Sequence, residues 1–216
     1  MDKKFADMAV EEKRIREMLC YEQKLWDRGV EFVAGVDEAG RGPLAGPVVA
    51  AAVIFPQNIF IAGINDSKKL SSIRREELFH VIQKKALSFA VGIVDEKEID
   101  RINILRATFK AMRMAIGGLS VHPDHLLIDG RPLPEKIYPQ TAIIKGDQKS
   151  FSIAAASILA KVVRDQIMIK YDKDYPQYGF ARHKGYGTKQ HVKAIREYGP
   201  CEIHRKSFKI KGWLDE

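Results

Sequence analysis

Hydrophobic and polar positions follow two patterns along this chain, short apolar runs and longer stretches with a helical period. The apolar runs predict five β-strands, at residues 32–37, 48–55, 89–94, 125–129 and 141–145. The helical spacing predicts five helices, at residues 1–28, 71–87, 95–116, 152–171 and 189–198. A Gly/Pro-rich link at 39–47 joins the first two strands and favours an antiparallel pair. This mixture predicts an α/β domain around a mixed sheet.

Composition narrows the class of protein. The chain has 216 residues, of which 45% are hydrophobic and 30% charged, as in a soluble globular domain. Its apolar runs are too short to span a bilayer, and the N-terminus lacks the apolar core of a signal peptide. Cys20 and Cys201 lie far apart and in no metal-ligand spacing. We therefore expect a cytoplasmic protein and exclude membrane, secreted and zinc-finger classes.

The positive charge is concentrated near the C-terminus. The net charge is +8, and residues 182–211 hold nine Lys or Arg but only two acidic residues, Glu197 and Glu202. A basic stripe of this kind is the electrostatic footprint of a nucleic-acid-binding protein. A solvated helix face would show the same charge, so this pattern alone leaves both interpretations open.

Four carboxylates follow predicted strands. Asp37 and Glu38 come at the end of the first strand, Asp129 closes the fourth, and Asp147 follows the fifth. Sites in open α/β sheets form outside the carboxyl ends of strands. Acids gathered there would repel one another unless a cation joined them, and oxygen-only ligands suit Mg²⁺ or Mn²⁺. The alternative is that they are inert strand-end or capping residues.

Adjacent residues on a regular strand point to opposite faces of the sheet. Asp37 and Glu38 therefore cannot both face one site from regular strand geometry. We expect Glu38 to lie beyond the end of the strand, where the glycine-rich link bends the chain.

Two glycine-containing segments are candidate substrate contacts. Gly40-Arg41-Gly42 lets backbone N–H groups approach a sugar or phosphate, with the arginine fork between them. It matches neither a P-loop nor a dinucleotide fingerprint, and a tight hairpin loop is the alternative. Tyr186, between two glycines in the basic stripe, suits stacking on a nucleotide or hydrogen bonding to it. Taken alone, that segment is also consistent with an ordinary turn.

Five blocks together resemble the ribonuclease HII family. They are GVDEAGRGPLAGPVV at 35–49, NDSKKLS at 65–71, LLIDG at 126–130, KGDQKS through SIAAASILAKVVRD at 145–165, and HKGYGT through GPCEIHRKSF at 183–208. The resemblance implies an RNase H-like fold, a five-stranded mixed sheet flanked by helices with a helical C-terminal portion. It divides the chain into an N-terminal helical extension (1–30), a catalytic domain (31–175) and a basic substrate-binding portion packed on it (176–216).

The resemblance also implies an activity. The protein is expected to be a divalent-metal-dependent endoribonuclease that cleaves the RNA strand of RNA–DNA hybrids. It is also expected to nick duplex DNA 5′ of single embedded ribonucleotides, leaving a 3′-hydroxyl and a 5′-phosphate, as in ribonucleotide excision repair. Two Mn²⁺ or Mg²⁺ ions would take part, and the protein would work as a monomer. The family's catalytic and metal-binding acids fall on Asp37, Glu38, Asp129 and Asp147.

Substrate contacts are carried over in the same way. Gly40, Arg41 and Gly42 would contact the ribose 2′-hydroxyl and nearby phosphates, and Tyr186 would recognise the ribonucleotide-to-deoxyribonucleotide junction. The expected phosphate contacts are Lys68, Lys145, Lys149, Arg182 and Lys184. We interpret His191 and His204 as structural or phosphate-facing, and not as metal ligands.

Two rival functions remain at this stage. A type 1 ribonuclease H or a resolvase-like nuclease would share the acids without reading a lone ribonucleotide, so the 40–42 loop with Tyr186 discriminates against it. A non-catalytic hybrid-binding protein would keep the basic stripe but has no use for four acids that repel phosphate.

Overall fold

Five strands form one mixed sheet in a computed structural model that describes residues 3–208, with side chains from residue 8 onward. The strands are β1 (Val33–Ala39), β2 (Val48–Ile54), β3 (Ser88–Val94), β4 (His125–Asp129) and β5 (Gln140–Ile143). Their order is β3-β2-β1-β4-β5. β1 and β2 pair antiparallel, as do β2 and β3, whereas β4 runs parallel to β1 and to β5. The predicted α/β class and the five-stranded mixed sheet are confirmed.

Eight α-helices surround this sheet within residues 3–208. They are α1 (Lys3–Met18), α2 (Cys20–Trp26), α3 (Ser72–Lys85), α4 (Glu96–Ile102), α5 (Ile104–Gly117), α6 (Phe151–Asp174), α7 (Phe180–His183) and α8 (Lys189–Tyr198). Among these residues, no helix has the length and apolar character needed to cross a membrane.

Two predicted helices are each divided in the structure. The helix predicted at 1–28 is interrupted at Leu19, and the one predicted at 95–116 is interrupted at Asn103. Asn103 has a φ of 69°, a conformation that asparagine tolerates better than most residues. Its side chain accepts hydrogen bonds from the backbone N–H groups of Leu105 and Arg106, so it caps α5. The periodicity was continuous across this cap, which is why the pattern predicted one helix.

The helices pack on both faces of the sheet. One apolar cluster joins β2 to α3 and α6, and a second joins the opposite face of β1 and β2 to α5. The approach of α6 to β1 depends on Gly35, because a Cβ at that position would lie 2.1 Å from the carbonyl carbon of Ser152. This close contact holds the start of α6 against the strand that carries Asp37 and Glu38.

The C-terminal portion has an apolar cluster of its own. Tyr178, Phe180, Ile195 and Ile203 are buried together with Met168 of α6. The predicted helix at 189–198 is confirmed as α8, and the short helix α7 precedes it. Residues 209–216 of the expected basic portion at 176–216 lie outside the described residues.

Candidate active site

The topology brings the four acids to one edge of the sheet. Because β1, β4 and β5 run parallel, their carboxyl ends meet at the same edge. Asp37 and Glu38 lie near the end of β1, and Asp129 is the last residue of β4. Asp147 lies in the 3₁₀ turn Gly146–Gln148 that follows β5.

The expectation that Glu38 lies beyond its strand is wrong. β1 continues to Ala39, and Glu38 is in register with Ala50 of β2. The strand is longer than expected because β2 stays paired with it up to Val49. Asp37 and Glu38 nevertheless line the same cavity at the end of the strand.

The cavity at this edge has a volume of about 210 Å³. It brings together eight of the residues that the sequence singled out: Asp37, Glu38, Gly40, Arg41, Gly42, Lys68, Asp129 and Tyr186. Ala39, Ser67, Ser157 and Lys161 complete its lining. Asp147 adjoins the cavity through its ion pair with Lys68.

Burial and mutual repulsion destabilise the charged form of these acids. Burial raises the pKa of Asp37 well above its usual value, and the negative charges of Glu38 and Asp129 raise it further. Burial also raises the pKa of Glu38, which the Arg41 guanidinium partly offsets. The pKa of Asp129 is raised by burial first and then by the charge of Asp147. A site of this kind favours cations, which relieve the repulsion.

Two of the basic side chains here form ion pairs with the acids. Arg41 Nη1 lies 3.2 Å from Glu38 Oε1, and Lys68 Nζ lies 3.2 Å from Asp147 Oδ2. Within residues 3–208, no group of three or more His, Cys, Asp or Glu side chains is arranged to hold a metal ion. The oxygen donors of the four acids suit a hard divalent cation chemically.

Backbone groups orient two of the acids. The Glu38 N–H donates to Asp37 Oδ1 at 2.7 Å, and the Gly146 N–H donates to Asp129 Oδ1 at 2.6 Å. The second bond ties the end of β4 to the turn that carries Asp147. Both of these backbone hydrogen bonds are made to the Oδ1 atom of the carboxylate.

A buried arginine, Arg205, holds the glycine-rich loop from below. Its guanidinium donates to the carbonyl oxygens of Gly40 at 2.6 Å, Gly46 at 2.8 Å and Arg41 at 3.1 Å. Only 3% of Arg205 is exposed, so nearly all of its hydrogen-bonding capacity is directed at this loop. The loop is therefore held in a fixed shape by a residue far away in sequence.

A second buried arginine, Arg164 of α6, joins this loop to the segment that carries Tyr186. It donates to the carbonyl oxygens of Pro47 and Lys184, both at 3.0 Å. Gly40 has a φ of 95°, and a Cβ there would lie 2.0 Å from Arg164 Nε. Only glycine fits at this position, for conformational and steric reasons together.

Tyr186 lies at the rim of the cavity and is 45% exposed. A Cβ on Gly42 would lie 3.7 Å from its Cε1 atom, so the ring faces the glycine-rich loop. The Arg164 guanidinium carbon lies 6.0 Å from the ring centroid. The two segments that the sequence selected separately therefore form one surface.

The other expected phosphate contacts lie outside this cavity. Lys145 and Lys149 are exposed, and Lys149 lines a separate groove with Arg14 and Tyr21. Arg182 Nη1 donates to Gln190 Oε1 at 3.4 Å. The Lys184 ammonium group donates to the carbonyl of Ala181, on its own loop.

His191 and His204 are buried and face each other. Their exposed fractions are 0% and 5%, and their Nε2 atoms are 3.0 Å apart. The expectation that they are structural or phosphate-facing is therefore correct only in its first part. Burial in the cluster of the C-terminal portion keeps both rings away from any phosphate.

The sequence did not single out several residues that shape the site. The Ser157 hydroxyl hydrogen-bonds to Asp37 and lies 2.8 Å from Ser67 Oγ. Lys161 lines the cavity and donates to Asp165 Oδ1 at 2.7 Å. The sequence did contain one signal for Arg164. It stands four residues after Ala160 and therefore lies on the apolar face of α6, where an arginine is unusual.

Comparison with known proteins agrees with this geometry. The profile of the Ribonuclease HII family matches residues 34–211. A ribonuclease HII of Acetivibrio thermocellus is 58% identical over 207 residues, which cover 96% of this chain and 81% of that protein.

Two solved structures share the fold. The ribonuclease H2 of Pyrococcus horikoshii is 29% identical with a TM-score of 0.68, and the match covers 82% of this chain and 94% of that one. The ribonuclease HII of Archaeoglobus fulgidus, solved in complex with PCNA, is 25% identical with a TM-score of 0.69. That match covers 83% of this chain and 96% of the other.

Proposed function

This chain belongs to the ribonuclease HII family of metal-dependent endoribonucleases that act on RNA–DNA hybrids, and we propose that it also nicks duplex DNA at single embedded ribonucleotides. The cut falls on the 5′ side of the ribonucleotide and leaves a 3′-hydroxyl and a 5′-phosphate. This activity is the first step of ribonucleotide excision repair. The protein acts as a monomer in the cytoplasm.

One observation carries the proposal. The cavity that holds Asp37, Glu38 and Asp129 is also lined by the 40–42 loop and Tyr186. A reacting phosphodiester and the ribose beside it therefore fit within one site. The sugar of the cut nucleotide differs from those of the DNA around it by the 2′-hydroxyl, so contacts from these neighbouring groups to that hydroxyl would select the cut site.

The acids Asp37, Glu38, Asp129 and Asp147 are the groups that would hold two divalent ions, Mg²⁺ or Mn²⁺. Ions bound there supply an activated water and stabilise the charge on the phosphate. The raised pKa values of Asp37, Glu38 and Asp129 support this assignment, because repulsion among the acids is relieved when cations bind.

The chain's own basic groups act on the substrate. Arg41 and Lys68, which pair with Glu38 and Asp147, would also bind phosphate oxygens at this edge of the sheet. Gly40 and Gly42 present backbone N–H groups to the ribose, and Tyr186 hydrogen-bonds to the 2′-hydroxyl and packs against the next sugar.

Outside the cavity, four further basic residues guide the duplex: Lys145, Lys149, Arg182 and Lys184. Arg182 and Lys184 belong to the basic portion at 176–216, which serves as the substrate-binding part on the catalytic domain at 31–175. The N-terminal extension at 1–30 packs on that domain through both of its helices, with Ile15 and Met18 of α1 in one apolar cluster and Trp26 of α2 in another. The charge of the C-terminal portion supports this division of labour.

The test uses the purified protein and end-labelled duplex DNA with one ribonucleotide, in Mg²⁺, in Mn²⁺ or with a chelator. We expect a metal-dependent nick immediately 5′ of the ribonucleotide. Cutting of a long hybrid without that nick would indicate a type 1-like specificity and overturn the proposal. Binding without any cutting would show that the acids have another role.

A further inference from the structure

A pair of buried histidines lies directly behind Tyr186. His191 Nδ1 is 3.0 Å from the carbonyl oxygen of Tyr186, and His191 Nε2 is 3.0 Å from His204 Nε2. On the far side, His204 Nδ1 is 2.9 Å from the backbone nitrogen of Cys201. The mechanism proposed above uses none of these groups.

Hydrogen-bond chemistry allows only one protonation pattern for this chain of contacts. A carbonyl only accepts, so His191 Nδ1 carries a proton and, in the neutral ring, Nε2 accepts. His204 Nε2 must then donate to it, which leaves His204 Nδ1 to accept the Cys201 N–H. Every nitrogen of the pair is satisfied, and the chain ends on the main chain of Tyr186.

A third histidine fixes the other side of the same loop. The Gly185 N–H donates to His183 Nδ1 at 3.2 Å, and His183 Nε2 lies 2.8 Å from the Tyr178 carbonyl, to which it donates. The His183 and His191 rings stack with centroids 4.4 Å apart. The turn that carries Tyr186 is thus held by imidazoles on both sides.

The same pair also reaches the glycine-rich loop. His204 forms a β-bridge with Ala45, and the Leu44 N–H donates to the Gly185 carbonyl at 2.8 Å. A shift of the histidine pair would therefore change the separation between Tyr186 and the 40–42 loop.

From this arrangement we propose that His191 and His204 are positioning residues for Tyr186, setting the selectivity of the site for a single ribonucleotide. The inference rests on the function proposed above, in which Tyr186 contacts the 2′-hydroxyl and the next sugar. The histidines touch no substrate. They fix the main chain from which the tyrosine ring projects, so that the ring meets the substrate without prior rearrangement.

The test compares kcat/KM for duplex DNA with one ribonucleotide to kcat/KM for a continuous RNA–DNA hybrid. His191→Leu removes the donor to the Tyr186 carbonyl and is expected to lower the ratio about tenfold or more, since small misplacements of binding groups are costly. His191→Asn keeps an amide donor near the position of Nδ1 and should restore much of the kcat/KM ratio. Ala194→Gly, buried on the same helix, is the matched control and should lower Tm without changing the ratio.

The possible outcomes separate this inference from the function on which it rests. If the wild-type protein does not nick at a single ribonucleotide, the proposed function fails and this inference with it. If the wild type nicks selectively and His191→Leu keeps the ratio, only the positioning role is overturned. An Asn variant no better than the Leu variant would also overturn it.

A second measurement applies even if His191→Leu does not fold. Imidazole ¹⁵N NMR of the full-length protein should show His191 protonated at Nδ1 and His204 protonated at Nε2. The opposite tautomers would contradict the chain of hydrogen bonds from His204 through His191 to the Tyr186 carbonyl.

Discussion

The carboxylate of Glu22 accepts a 2.7 Å hydrogen bond from the Ser150 hydroxyl, across 128 residues of sequence. The same oxygen accepts the Ser152 N–H at 2.8 Å, and Glu22 is fully buried. Ser150 caps α6, three residues after Asp147. The N-terminal extension is therefore anchored at the beginning of the helix that follows an acid of the candidate site.

Replacing this anchor should reduce stability according to what the new side chain can accept. Glu22→Ala leaves two buried donors without their acceptor and should lower the free energy of unfolding by about 2 kcal/mol. Glu22→Gln keeps an acceptor oxygen and carries no buried charge. Because burial raises the pKa of Glu22, removing the charge should offset part of the cost of burying an amide N–H₂ where Oε2 has no partner, so we expect the Gln variant to lose less stability at pH 7 than the Ala variant. Urea denaturation measures the free energy of unfolding of both variants, and an equal loss in the two would contradict this account.

Arg205 should be a larger contributor to stability than any exposed arginine. Arg205→Met leaves the carbonyl groups of Gly40, Arg41 and Gly46 without their donor and should cost about 3 kcal/mol. Arg101→Met is the control, because Arg101 forms an ion pair with Glu98 on the surface, and exposed ion pairs add little to stability. Urea denaturation gives the free energy of unfolding of both variants, and we expect the larger loss for Arg205→Met. Similar losses would mean that Arg205 does not hold the loop.

Asp129→Asn should separate catalysis from binding. The variant removes one charge from the four acids and is expected to lower turnover by at least about 100-fold, the scale seen when a group that stabilises transition-state charge is lost. Hybrid binding should be largely kept.

Mn²⁺ should also raise the Tm of Asp129→Asn less than that of the wild type, because ligands that bind only the folded state stabilise it. Glu135→Gln, an exposed acid paired with Arg113, is the control. Cutting that survives Asp129→Asn would show that the metal site is wrongly assigned.

Binding to hybrid should weaken steeply with salt. Six basic phosphate contacts predict a slope of about −5 in log K against log salt concentration, because each neutralised phosphate releases counterions. The double variant Arg182→Ala with Lys184→Ala should reduce the slope by about 2. Arg101→Ala with Arg113→Ala removes the same charge from α4 and α5 and should leave the slope unchanged. A flat salt dependence of the wild type would contradict the charged interface.

Stability should fall in mild acid because of the buried histidine pair. Burial lowers the pKa of His191 and of His204 from 6.5 to about 4. The titratable side chains that contact the pair are His183, Tyr178 and Cys201. Below pH 6.5 the unfolded chain binds protons that the folded protein does not, so stability is lost as the pH falls toward 4.

The measurement is urea denaturation at pH 7 and pH 5. The wild type should lose about 4 kcal/mol more between these values, about 2 for each histidine, than the double variant His191→Asn with His204→Gln, which lacks both titrating groups. An equal loss in the two proteins would show that the histidines are not responsible.

Local patterns determined the elements, since apolar runs and helical spacing depend only on neighbouring residues. All five strands and the helices at 71–87, 152–171 and 189–198 were located in this way. The pattern failed where a polar side chain interrupts a continuous stripe, as Asn103 does when it caps α5. It also could not place the end of β1, because that depends on how far β2 stays paired with it.

The sequence by itself determined the chemistry of this protein: its four acids, its glycine-rich loop, its basic C-terminal portion and the family that these residues resemble. Only the tertiary structure decided that Arg164, Arg205 and the His191–His204 pair hold the loop and Tyr186 in place. The physical reason is that these contacts join side chains to backbone carbonyls. For the two arginines, the carbonyls lie more than 100 residues away in the sequence. A backbone carbonyl has no signature in the sequence, so its partner is identified only once the chain has folded.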